Sequence, residues 1–371
     1  MQEVKDIKLR VLFNSFGGKT IEAVINKRFA ASCPGGISKS GYETADIGAE
    51  KAIKNFYRIK STFLGDFTQK EFDLLLKKNM NKLGSTLTTA LSLAFFSMDF
   101  DISDAKLFPN ILGNVLGGGS HSPLKKPEIQ EFLVVPNEKT IFRAIETNFN
   151  IWSEVYNILK KQNKLFGLDP ESACAVNMTN EDALDLVTEI ANKFGAKVGI
   201  DFAASSIFQK GKYFYHDKIL SRSEQMDYII ELWKTYNLVF IEDPLEENDY
   251  SGFRELKNKL KKTLICGDDL IASHLERLKK YKNSVNSVIV KPNQVGTVTE
   301  CLDVIKFANK NKIMPVVSHR SKETCCSVLS KLSLYAPLAK LGIAGIRTAK
   351  LNELIRLWND AKKPVIKHLN I

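Results

Sequence analysis

Between residues 196 and 319 the chain repeats one form. A short apolar run, rich in β-branched residues, ends on a polar or charged side chain, and a helical pattern follows. The runs are Lys197–Asp201 (KVGID), Leu238–Asp243 (LVFIED), Thr263–Asp269 (TLICGDD), Ser287–Lys291 (SVIVK) and Met314–His319 (MPVVSH). Short apolar strands alternating with helices predict a parallel sheet covered on both faces. The spacing of the polar ends suits a barrel of eight strand–helix units, which averages about 31 residues per unit. Upstream the pattern differs. Lys8–Phe16 and Thr20–Asn26 alternate like two strands around Gly17-Gly18, a Gly/Ser-rich loop covers Ala31–Gly41, and helical patterns run over Ala45–Ile59, Gln69–Asn79 and Ser85–Met98. Strands followed by helices predict a compact α+β layer. Pro109 and the segment Gly113–Ser122 mark a boundary, so the reading is an α/β protein: an α+β capping domain over 1–112 and a (β/α)8-type barrel over 113–371.

The polar ends bring in chemistry. The functional face of such a barrel lies at the C-terminal ends of its strands. Consecutive strands here end in Asp201, Glu242, Asp268-Asp269, Lys291 and His319-Arg320. Capping of the next helix explains one Asp or Ser, not acids on three successive strands followed by a lysine and a His-Arg pair. Three converging carboxylates repel one another unless a cation sits between them, and oxygen-only ligands favour a hard ion such as Mg2+. Lys291 beside that ion is expected to have a depressed pKa and to serve as a general base. Arg320 offers a bidentate fork to phosphate or carboxylate. Metal, lysine base and anion clamp together suit proton abstraction next to a carboxylate.

Composition narrows the field without redirecting it. In 371 residues the hydrophobic share is 44% and the charged share 26%, which is globular. The six cysteines form no C-x-x-C pair, which argues against a cysteine zinc module and suits a reducing cytosol. The charged first residues lack the apolar stretch of a signal peptide, and no run is long enough to span a bilayer. The expectation is a cytoplasmic protein. The net charge of +11 is spread along the chain, with runs such as Lys257–Lys262 read as solvated helix faces, and no nucleic-acid motif accompanies it.

These segments resemble the enolase family. Gly195–Tyr213, Ile241–Pro244 (IEDP), Gly267–Leu270 (GDDL), Val290–Glu300 (VKPNQVGTVTE) and Val317–Thr324 (VSHRSKET) are similar to its active-site strands. So are Asn114–His121 (NVLGGGSH) and Gln130-Glu131-Phe132, while Lys82–Ala94 matches a helix of its N-terminal cap. The resemblance runs from about residue 8 to 358. It implies a lyase that interconverts 2-phosphoglycerate and phosphoenolpyruvate with Mg2+, acting on a small phosphorylated carboxylate as a homodimer or higher homo-oligomer. It implies Asp201, Glu242 and Asp268 as metal ligands and Lys291 as the base that takes the C2 proton. Arg320 and Ser321 would bind the phosphoryl group. His121, Gln130, His319 and Glu131 would line the substrate.

Four departures accompany the resemblance. The family's Asp-Glu-Gly-Gly motif reads Asp169–Asn177 (DPESACAVN), and its glutamate, which helps the hydroxide leave, falls on Glu171 when the shared Asn is aligned or on Pro170 without a gap. The family's substrate-binding lysine near the C-terminus is matched to Gly345–Thr348 (GIRT), which puts Arg347 there. The mobile loop reads Gly35–Gly41 (GGISKSG), so Ser38 or Ser40 stands where a serine ligates the second metal. The tail after Ile366 is short for the family. Two other readings follow from these departures: an enolase-family lyase acting on a different phospho- or phosphono-carboxylate, and a catalytically impaired paralogue acting as a binding protein.

Overall fold

The computed structural model describes residues 1–37, 40–103, 107–124 and 126–367. Past a short strand at Gln2–Val4, which pairs with Gly65–Phe67, comes a three-stranded antiparallel sheet of β1 (Ile7–Phe13), β2 (Lys19–Ile25) and β3 (Phe29–Ser32). Ile7 and Leu9 of β1 are buried while Lys8 and Arg10 face solvent, the period of two expected of a sheet with one covered face. The covering layer is helical: α1 (Ala49–Tyr57), α2 (Gln69–Lys78) and α3 (Met80–Asp99), the last interrupted at Gly84. A reciprocal cap starts α2, with the Thr68 side chain accepting from the Glu71 amide and the Glu71 carboxylate accepting from the Thr68 amide. Strand β3 escapes the sequence pattern because its four residues, Phe-Ala-Ala-Ser, run straight into the Gly/Ser-rich loop.

Eight strands then close a barrel: β4 (Asn110–Gly117), β5 (Glu131–Val135), β8 (Lys197–Asp201), β9 (Phe240–Glu242), β10 (Leu264–Gly267), β11 (Ser287–Val290), β12 (Met314–Ser318) and β13 (Leu338–Lys340), the last pairing back onto β4. Between β5 and β8 a hairpin, β6 (Leu165–Leu168) and β7 (Cys174–Val176), attaches to the upper half of β4. The barrel departs from a regular strand–helix repeat at one place. β5 runs antiparallel to both neighbours, because the segment joining it to β4 holds no crossover helix. The reading that placed a boundary at 112/113 falls inside β4, whose eight residues are all buried.

The period of two organises the barrel interior. Leu112, Leu133, Phe240, Leu264, Cys266, Ile289, Val316 and Leu338 form a separate core that plugs the barrel. The alternate residues, such as Ile200, Ile241, Ile265, Val290 and Ala339, join the larger core under the surrounding helices. Two residues beyond the plug, the next inward position on each strand is polar: Asn114, Asp201, Glu242, Asp268, Lys291, Ser318 and Lys340, with Glu131 at the start of descending β5. Gly199 is the inward residue of β8, and a Cβ there would lie 2.8 Å from that of Phe240, so the glycine makes room for the ring. The result is an apolar floor beneath a charged mouth.

The cap is tied to the barrel near that mouth. Asp73 of α2 accepts from the Thr299 amide and hydroxyl at the start of a barrel helix (Val298–Lys310), and the Ser92 hydroxyl of α3 accepts from the Val298 amide. Gly35 and Lys322 exchange backbone hydrogen bonds, and Ser32 bonds Thr324. These contacts hold the start of the Gly/Ser-rich loop against the loop that follows β12. Among the described residues no helix is long and apolar enough to cross a membrane.

Candidate active site

A narrow polar pocket lies at the mouth, bordered by residues from six barrel strand ends, the His121 turn, the hairpin loop and Glu43 of the cap. One half is built directly on strand ends. Lys340 is fully buried and places its ammonium 2.7 Å from Glu131, 3.2 Å from Asp201 and 3.0 Å from Glu242. Burial opposes its charge, but the three carboxylates outweigh that and lift its pKa well above the usual lysine value. Burial, with Asp201 next to it, pushes Glu242 up to about 8, and one oxygen of its carboxylate has no hydrogen-bond partner. Asp268 is turned onto Lys291 and also accepts from Gln294. Burial alone would raise its carboxyl, yet the Lys291 ammonium holds it below its ordinary value.

The depressed pKa expected of Lys291 is that of a lysine beside an ion. In the protein alone burial pushes it down, but contact with the Asp268 carboxylate outweighs burial and leaves it raised. Among the described residues two sets of three donors lie within 4.8 Å of one another: Asp243, Asp268 and Asp269, and His121, Glu131 and Glu171. Asp201 and Glu242 share Lys340 rather than closing with Asp268, which is occupied by Lys291. The donor chemistry nevertheless fits a hard cation: several buried carboxylates, one orphaned buried oxygen, and no sulfur among them.

The other half is built on loops. The turn from β6 to β7 carries Glu171, which the alternative alignment would replace with Pro170; the structure brings Glu171 to the pocket, with Pro170 outside it. Glu171 lies 3.3 Å from His319 Nε2 and accepts from Asn114. Burial would lift its carboxyl, but the His319 and His121 rings and the Arg347 guanidinium around it hold it well below its usual value. Glu131 goes the other way: burial and the Glu171 charge push it well up against the pull of Lys340. His121 sits on a single turn of 3-10 helix, Gly119–His121, with Nδ1 4.0 Å from Glu131. Gln130 donates to Asp201 at 3.4 Å.

The loop after β12 presents Arg320 and Ser321. Arg320 donates to Asn293 and to Glu43, the latter at 2.9 Å, and Ser321 accepts from the Ile37 amide. Glu43, on the far side of the Gly/Ser-rich loop, carries no signal in the sequence. Ser38 lies outside the described residues. Ser40 donates to Glu247 at 2.9 Å, with the Asp269 carbonyl 3.3 Å away, so its hydroxyl anchors the loop.

Arg347 is the clearest correction. The sequence match puts it in the place of the substrate-binding lysine. The structure buries it completely behind His319, where it donates to His319 Nδ1 and to the carbonyls of Pro170, Arg320 and Ser321. The second lysine at the mouth, beside Lys291, is Lys340, which sequence reasoning missed. It does carry a signal, since Pro337–Lys340 is one more apolar run ending in a charge, but its strand is only three residues long and the GIRT match draws attention away from it.

Known proteins share this chain's full extent. A family model described as "Enolase, C-terminal TIM barrel domain" matches residues 105–366. The enolase of Methanosphaera stadtmanae is 35% identical over 410 aligned positions, covering 99% of this chain and 99% of its own length. Those of Natronomonas pharaonis and Picrophilus torridus are each 34% identical, covering 97% and 96% of this chain and 100% and 99% of their own.

Proposed function

Because the chain belongs to the enolase family, we propose that it is a carbon–oxygen lyase that interconverts 2-phosphoglycerate and phosphoenolpyruvate with Mg2+. The observation that carries this reading is the pairing of two buried lysines, Lys291 and Lys340, with four strand-end carboxylates in one mouth. Asp201, Glu242 and Asp268 would hold Mg2+, with Ser38 as a candidate ligand for a second ion. Bound there, Mg2+ would stabilise the negative charge that develops on the substrate carboxylate.

Lys291 is the base at C2. It becomes competent as the negative charge of Asp268 is taken up elsewhere, since that carboxylate is what holds its proton. Lys340 supplies a fixed positive charge where the substrate carboxylate gathers charge. Arg320 and Ser321 receive the phosphoryl group, which competes with Glu43 for the Arg320 fork. Burial pushes the Glu131 carboxyl up and its neighbours hold that of Glu171 down, so Glu131 would be the proton donor and Glu171 the acceptor in handling the departing oxygen. His121, Gln130 and His319 line the space between them.

The test is absorbance at the phosphoenolpyruvate band with 2-phosphoglycerate and millimolar Mg2+, with Lys291→Ala and EDTA as controls. A signal abolished by both supports the reading. No signal from a folded protein that binds Mg2+ would overturn the substrate and leave a lyase for another phospho- or phosphono-carboxylate.

A further inference from the structure

Arg347 has no place among the groups that touch substrate, yet it is a fully buried guanidinium. Four of its five N–H donors are committed. Nε donates to His319 Nδ1 at 2.7 Å, Nη1 to the Pro170 carbonyl at 2.9 Å, and Nη2 to the carbonyls of Arg320 at 2.9 Å and Ser321 at 3.0 Å. Gly342 makes its path possible: with φ at +92°, it lies where a Cβ would fall 2.0 Å from Arg347 Cδ. The side chain therefore bridges the loop that carries Glu171 and the loop that carries His319, Arg320 and Ser321.

The contact with His319 has a further consequence. A guanidinium only donates, so the ring nitrogen facing it must accept. A neutral imidazole with an acceptor at Nδ1 carries its proton on Nε2. Nε2 is the nitrogen 3.3 Å from Glu171. Protonation at Nδ1 would set one N–H against another. We propose that Arg347 is a positioning residue that locks His319 as the neutral, Nε2-protonated tautomer and so makes it a fixed hydrogen-bond donor toward Glu171 and the departing oxygen, not a proton shuttle.

The surroundings agree. His319 faces the Glu171 carboxylate from the hairpin turn, Arg347 from behind, Glu323 from its own loop, and His121 lies beyond Glu171. Burial, against the pull of Glu171, brings the ring down to about 4, with Arg347 adding to the effect. The role in turnover rests on the lyase reading above, whereas the tautomer does not.

The experiment uses the full chain labelled with 15N-histidine, with His319→Gln to identify the signal. Long-range 1H–15N correlations between pH 5.5 and 8 should give an acceptor Nδ1 and a protonated Nε2 that do not titrate. In Arg347→Met the ring should begin to titrate within that range and show both tautomers. A protonated Nδ1 in the wild type, an ordinary titration there, or an unchanged ring in Arg347→Met would each overturn the proposal. The wild-type spectrum decides even if Arg347→Met does not fold. Arg347→Lys keeps the charge without the fork. It should lower kcat by about 10–100-fold with KM moved by less than about threefold, the pattern of lost orientation. A protein without turnover that still shows the locked tautomer would refute the lyase reading and spare this one.

Discussion

The two halves of the mouth are built by different means. In the strand-end half, the charged groups sit two residues beyond the inward positions of the barrel floor: Asp201 above Gly199, Glu242 above Phe240, Lys291 above Ile289, Lys340 above Leu338. The sheet ladder fixes them, and what remains to be balanced is charge. In the loop half, Glu171, His319 and Arg320 lie outside any strand, and two buried cations fix them. Arg347 clamps three carbonyls and a ring nitrogen, and Lys350 lies 2.7 Å from Glu323, whose other oxygen accepts from the Arg320 amide. One half therefore responds to charge, the other to geometry.

The largest effect expected is in the first half. Lys291→Ala should lower kcat by about 10²–10⁴-fold, since it removes the positioned base, with the fold intact by circular dichroism. A loss below tenfold would mean that proton abstraction lies elsewhere. Lys340→Met comes next. It leaves Glu131, Asp201 and Glu242 buried without their cation, a type of change that costs about 3–5 kcal/mol, and three acids place it at the upper end. Urea unfolding measures the loss, and added Mg2+ should recover part of it, because a bound cation replaces the missing charge. Lys350→Met breaks a buried pair of the same kind at the lower end of that range, but its loss should be indifferent to Mg2+. A Lys350 variant rescued by Mg2+, or a Lys340 variant that is not, would erase the contrast between the halves.

The same contrast explains what can be read from the sequence. Strand ends follow a period of two and a barrel-sized spacing, so Asp201, Glu242, Asp268 and Lys291 stand out as a pattern in the amino-acid sequence alone. Lys340 obeys the same rule and escapes notice because β13 is three residues long. Loop residues have no period. Glu171 can be named only by alignment, with Pro170 as its rival, and Arg347 attracts a substrate role because a buried arginine and a substrate-facing one look alike in sequence. Glu43 becomes relevant only with the cap folded against Arg320. The antiparallel turn of β5 is hidden too, since a strand's direction is set by what connects it and the segment before it reads as loop either way.

The smallest effect expected tests how one further acid of the loop half is held. Asp169 precedes Glu171 by two residues. One of its oxygens accepts from the amides of Glu171 and Ala173, and the other is buried with no partner. Burial, reinforced by Glu171, pushes its carboxyl up to about 7 despite those two amides. An unfolded chain ionises this group near 3.9. Between about pH 4 and 7 the folded chain thus holds a proton that the unfolded chain has released, so its contribution to stability is present below that window and is lost as pH rises through it. Asp169→Asn keeps the accepting oxygen and removes the titration. It should flatten the fall of Tm across that window by about 1–3 °C, a small shift for a chain of this size, and leave kcat within a few-fold. Parallel wild-type and variant profiles would show that Asp169 is already ionised in the fold, with the nearby Arg347 guanidinium balancing its charge.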